Sequence, residues 1–153
     1  MDTTAVAAAM LEPVPANRLF GIRVRSATPD GAEVELDVRT EATNVIGSLH
    51  ASGLVAIADA AGLAAVLGAA PSPAALEGVS ALGAAAELRF AAPARGRLVG
   101  RCALDDDAAR TLRGLYDRDT DRATLATTVA IEDEAGDLVC TGTFDWRLRR
   151  LED

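Results

Sequence analysis

The sequence predicts an α+β fold in which a curved antiparallel sheet wraps around one long central helix. Three observations predict it. Alternating apolar and polar stretches, the mark of half-buried strands, lie on both sides of a single helical segment near 52–68. That helix is apolar all the way round, with Leu54, Val55, Ile57, Leu63, Val66 and Leu67 confined to no one stripe, so nearly all its sides need cover. Its remaining positions are mostly Ala and Gly (Ala56, Ala58, Ala60, Ala61, Gly62, Ala64, Ala65), which lets a sheet approach closely. A plain two-layer α+β sandwich fits the same element order and stays open on pattern alone.

The elements follow in order. Residues 1–14 read as a short N-terminal helix or a flexible lead-in to a single domain spanning 1–153. Residues 19–28 and 32–39 form a hairpin across Pro29-Asp30-Gly31, a strong turn signal. The second strand alternates cleanly, with Val34, Leu36 and Val38 against Glu33, Glu35 and Asp37. A loop, TEATNVIGSLHAS, leads into the helix, and AAPSPAALEG leads out of it. A strand over 80–91 sets Leu88 and Phe90 against Glu87 and Arg89, and one over 97–105 turns Leu98, Cys102 and Leu104 inward. After a short helix at 107–115, strands 122–133 and 137–149 meet at Glu134-Ala135-Gly136. The sheet is thus six-stranded, and an edge strand such as 80–91 is free to pair with its symmetry mate as a homodimer or tetramer.

Composition excludes several partners. The net charge of -8 argues against nucleic acid and against an anionic membrane surface. Residues 5–11 are apolar, but only Asp2 precedes them and no basic residue, so a signal peptide lacks its basic start. Residues 53–70 are long enough for a membrane span, yet they carry Asp59 and little beyond Ala and Gly to offset it. All 15 basic residues are arginine and alanine is abundant, which reads as genomic composition of a bacterial source. Cys102 and Cys140, with no CxxC, point to a reducing, cytoplasmic setting in which both are buried core thiols.

The chemistry concentrates in residues 44–59, NVIGSLHASGLVAIAD. Asp59 is the one ionisable group between His50 and Glu77. Burying an unpaired carboxylate is costly, so Asp59 faces a polar cleft, is paired, or titrates high. Perturbed carboxylates in clefts are functional candidates; a hydrogen-bonded structural role is the alternative. His50, the sole histidine, sits ahead of the helix, whose first N–H groups near Ala51 to Gly53 lack intrahelical partners. Such donors can hold a carbonyl oxygen as negative charge develops on it. Ser48 or Ser52 is a candidate cap for the helix, and Asn44 a candidate turn former.

The run Asn44-x-x-Gly47-x-x-His50, followed nine residues after the histidine by Asp59, resembles the signature of hot-dog acyl-CoA thioesterases of the phenylacetic-acid-pathway type. Residues 87–102, ELRFAAPARGRLVGRC, resemble that family's strand, Pro-Ala, Gly, strand stretch. The likeness runs from residue 15 to the C-terminus, and the 107–115 helix resembles an insertion in a related hot-dog group. The resemblance implies a hot-dog fold and hydrolysis of an acyl thioester, with no cofactor beyond the coenzyme A of the substrate and no metal. By position it implies that Asp59 is the catalytic carboxylate, Asn44 positions the water or nucleophile, the Ala51 N–H donates to the oxyanion, and His50 holds the loop and contacts the thioester. It further implies that Asp59 comes from one subunit and Asn44 and Ala51 from the other. Coenzyme A would lie near Pro93, with Arg95 and Arg97 toward its phosphates; a solvated turn is the other reading of those arginines.

Two positions depart from the family. His-Gly-Gly is His50-Ala51-Ser52 here, and Gly83 stands where a hydroxyl is common, with Ser80 a substitute only under a shifted register. A non-catalytic thioester or small-ligand binder, and a hot-dog hydratase or dehydratase, are therefore the alternatives.

Overall fold

The computed structural model describes residues 2–151. Two helices open the chain, α1 (Thr3–Leu11) and α2 (Pro15–Phe20). The second corrects the expected strand start at 19. Pro15 occupies the first helical turn, where its missing N–H costs nothing, and Gly21 ends the helix in the left-handed conformation at φ 70°. Strand β1 therefore begins at Arg23 and runs to Thr28, and β2 spans Gly31–Asp37. Thr28 pairs with Gly31, so Pro29 and Asp30 alone make the turn.

The long helix α3 covers Ala51–Gly68, followed by β3 (Val79–Phe90), β4 (Arg97–Ala103), α4 (Asp106–Tyr116), β5 (Arg122–Asp133) and β6 (Leu138–Arg150). The six strands form one antiparallel sheet in the order β1-β2-β4-β5-β6-β3. It curls around α3, with Val34, Leu36, Leu98, Val129, Ile131 and Trp146 buried on its inner face. This is the wrapped-helix arrangement, and the plain two-layer sandwich is set aside. Cys102 and Cys140 are free and buried, and burial pushes the Cys102 thiol up to about 11, so neither is poised as a thiolate.

Small residues on α3 let the sheet close on it. At Gly62 an added Cβ would lie 2.7 Å from Thr127 Oγ1 and 2.9 Å from the Trp146 ring. Those two groups are themselves locked together, because the Trp146 indole N–H donates to Thr127 Oγ1 at 2.8 Å. Neither can give way, so Gly62→Val is expected to cost about 1–3 kcal/mol by overpacking. At about 2–4 °C per kcal/mol for this chain length, a melting curve will read that loss directly. An unchanged melting point would mean that helix and sheet sit further apart than described.

Cover of α3 is incomplete in the single chain. Eleven of its residues are buried, but Ser52 and Val55 are exposed and Ala56, Asp59, Leu63 and Leu67 only half-buried. Counting Val55 and Ala56 as one step, they recur every three or four residues, so they make one open stripe along the helix. Among the described residues α3 is also the one helix long and apolar enough to cross a membrane, and 61% of it lies inside this fold. Beside the stripe, edge strand β3 buries none of its 12 residues.

Candidate active site

The site is built from the loop before α3, the first turn of that helix and the middle of its open stripe. In the loop, Asn44 closes a tight turn with nearly all of its side chain. Its carbonyl oxygen accepts from the N–H groups of Ile46 at 3.1 Å and Ser48 at 3.2 Å, and its amide donates to Ser48 Oγ at 2.9 Å. Gly47, at φ 72°, supplies the left-handed residue that this turn requires. Asn44 thus does act as a turn former.

His50 caps the helix, a role that the sequence pointed to Ser48 or Ser52 for. Ser48 is buried and bonded to Asn44, while the Ser52 N–H donates to the His50 imidazole Nδ1 at 3.2 Å. Ser52 Oγ lies 2.8 Å from the same nitrogen, and the Gly53 N–H donates to the His50 carbonyl at 2.8 Å. With the second and third N–H groups of the helix engaged, that of Ala51 is the first-turn donor left over, and the residue is exposed.

Asp59 stands on the open stripe, half-buried. Burial alone shifts its carboxyl pKa, upward, with no ion pair or hydrogen bond opposing it. Its distance from the Ala51 donor is decisive. Eight residues of helix separate them, about 12 Å along the axis at 1.5 Å per residue. No single carbonyl carbon can meet both groups of one chain. Within one chain the structure therefore brings Asn44, His50 and Ala51 together and keeps Asp59 apart.

The second predicted cluster docks onto the loop. The Leu49 N–H donates to the Ala94 carbonyl at 2.8 Å, and Arg95 Nη2 donates to the Ile46 carbonyl at 2.8 Å. Pro93 and Arg95 are exposed next to the Asn44–His50 segment. Arg97 points elsewhere, pairing with Asp37 at 3.4 Å. Ser80 does not replace the hydroxyl missing at Gly83. Gly83 pairs with buried Trp146 on the inner face, whereas Ser80 pairs with Arg149 on the outer face. Among the described residues, no three His, Cys, Asp or Glu side chains gather as a metal set.

Two contributors escaped sequence reasoning. The Tyr116 hydroxyl of α4 donates to the Val66 carbonyl at 2.6 Å and pins the far end of α3. The Glu12 carboxylate accepts from the Val24 N–H at 2.9 Å and ties α1 to the first strand. Both bonds join segments far apart in sequence, and neither residue belongs to a local motif.

The comparisons with known proteins agree with this architecture. No curated protein matches the chain. Among solved structures, a Pseudomonas aeruginosa protein described as of unknown function and a probable thioesterase superposes with a TM-score of 0.76 at 23% identity, covering 97% of this chain and 96% of its own. The Escherichia coli PaaI protein from the phenylacetic acid degradation operon superposes at 0.68 with 17% identity, covering 99% and 94%. The thioesterase HI1161 from Haemophilus influenzae gives 0.68 and 20%, covering 93% and 88%. At these identities the likeness establishes the fold, which is the hot-dog fold. A family model described as a domain of unknown function, DUF4442, matches residues 3–148. The chain belongs to the DUF4442 family.

Proposed function

We propose that the protein hydrolyses an acyl-CoA or related acyl thioester, at a site completed by a second copy of the chain. The observation that carries this reading is the state of Asp59: a half-buried carboxylate with no partner among the described residues, its pKa raised by burial, on the open stripe of the central helix. As base it takes a proton from water while the oxygen attacks the thioester carbon; as nucleophile it attacks that carbon itself. The C–S bond then breaks and the sulfur leaves as thiol with the proton that water gives up; where Asp59 was the nucleophile, that water cleaves the acyl–Asp59 anhydride, releasing the acid and restoring the carboxylate. The oxyanion formed meanwhile accepts from the Ala51 N–H of the other copy, with the helix N-terminus adding its favourable field. Asn44 and His50 hold that loop in shape. Coenzyme A would lie over Pro93 and Arg95. Arg97 would reach its phosphates only while also serving Asp37.

The long edge strand β3, with none of its 12 residues buried, supports pairing of two copies beside the stripe and with it a shared site. Light scattering is expected to give twice the chain mass, or four times it, at micromolar concentration. A stable monomer would remove the shared site. Activity itself is tested with short, medium, long and aromatic acyl-CoAs and a thiol-detecting dye, where release above the uncatalysed rate is expected. The engagement of the Asn44 side chain within its own loop favours a second reading, a binder without turnover. Silence across the whole panel would leave that reading in place of hydrolysis.

A further inference from the structure

From Asp59 the open stripe of α3 continues through Leu63 to Leu67, one and two turns further along. It ends at a cavity of about 170 Å³ walled by Leu63, Val66 and Leu67, with Met10 of α1, Ala81 of β3 and Tyr116 of α4 around them. The one polar side-chain atom in that wall is the Tyr116 hydroxyl, already spent on the Val66 carbonyl. An apolar wall of this kind disfavours a charged, sugar-like or hydroxylated group and favours hydrocarbon.

Resting on the thioesterase reading above, we infer that this cavity takes the far end of a saturated medium-length acyl chain, of about 8–12 carbons. Two lengths and one volume set that number. Leu63 lies about 6 Å and Leu67 about 12 Å beyond Asp59 along the helix. An extended chain advances roughly 1.2 Å per bond, as three backbone bonds span at most about 3.6 Å, so some ten bonds cover the distance. An apolar cavity of about 150 Å³ admits benzene, so this one has room for about six carbons. The first carbons of the chain would follow the stripe and the last would fill the cavity. An acetyl group stops short of it, a phenylacetyl ring sits too near the carboxylate, and a 16-carbon chain runs into Met10 and Tyr116. The α1 and α4 segments, which flank the sheet rather than belong to it, thereby act as the stops that set chain length.

The test is a chain-length series of acetyl-, butyryl-, octanoyl-, decanoyl-, palmitoyl- and phenylacetyl-CoA. It is read as kcat/KM on the wild type, and as calorimetric binding to Asp59→Asn, which reports the pocket whether or not turnover occurs. Each methylene buried is expected to raise kcat/KM and affinity about threefold to fourfold, up to an optimum near decanoyl, with a fall at palmitoyl. Met10→Trp, at a half-exposed position on α1, and Ala81→Phe, at a half-buried position on β3, fill the cavity from opposite sides. In either variant the decanoyl-to-butyryl ratio is expected to fall at least tenfold. A flat series, a preference for phenylacetyl-CoA, or a ratio indifferent to both variants would overturn the inference while leaving hydrolysis intact. Steep chain-length dependence in binding without turnover of any thioester would do the opposite, keeping the pocket and removing the thioesterase.

Discussion

Asp59→Asn is expected to lower thioester turnover by about 10²–10⁴-fold, the usual worth of a positioned acid–base group. The amide keeps the shape of the side chain and removes the base. Stability is expected to move the other way. Burial raises the Asp59 pKa above its ordinary 3.8, so folding favours the protonated carboxyl. The stabilising contribution is full below that ordinary value and is lost as pH rises through the raised one. At neutral pH the folded chain holds a carboxylate at a cost, which asparagine removes. The variant should therefore melt at or above the wild type at pH 7, with the gap closing toward pH 4. Wild-type turnover should decline as pH falls through the raised pKa, because the base is then protonated. Unchanged turnover with a lowered melting point would make Asp59 a structural residue instead.

Ala51→Pro is the second large effect expected, and it isolates one hydrogen atom. Ala51 is the first residue of α3, where proline is well tolerated because that N–H has no intrahelical partner. His50 before it sits at φ -59° and ψ 146°, the extended conformation that a following proline demands. The substitution thus deletes the proposed oxyanion donor and leaves the helix start in place. Turnover is expected to fall about 10²–10³-fold, the loss seen when one such donor is removed, with the melting point unchanged or higher. Retention of full turnover would move the oxyanion site away from this helix start. A lowered melting point would show that the ring does not fit there.

Much of the fold was legible because its signals are local and periodic. Strand β2 alternates residue by residue, the hairpin needs only Pro29-Asp30, and α3 begins one residue before its expected start at 52. Helix α2 was not legible. Phe20, Ile22 and Val24 continue the period of the following strand, and only the Pro15 start and the Gly21 stop mark the helix. At the site, Asp59 and the free helix start could be read from chemistry. The His50 cap could not, because an imidazole seldom does what Ser, Thr, Asp or Asn usually does. The open stripe was invisible for a different reason. An all-round apolar helix calls for cover on every side, and only the sheet's path decides which side stays open. The cavity at its end depends on Met10, Ala81 and Tyr116, three residues from three elements that no sequence window contains.

Mixed dimers separate a site shared between two copies from one housed within a single chain. Asp59→Asn and Ala51→Pro are each expected to be nearly inactive alone. In a heterodimer of the two, one site carries both defects, while the other joins an intact Asp59 to an intact Ala51 N–H. Random pairing of equal amounts makes half the dimers mixed, each with one working site in two, so activity should recover to about a quarter of wild type. The measurement is thioester hydrolysis after the two variants are denatured and refolded together, against each refolded alone. Recovery toward a quarter is the predicted result. No recovery, with mixed dimers shown to form, would contradict it and place the whole site within one chain.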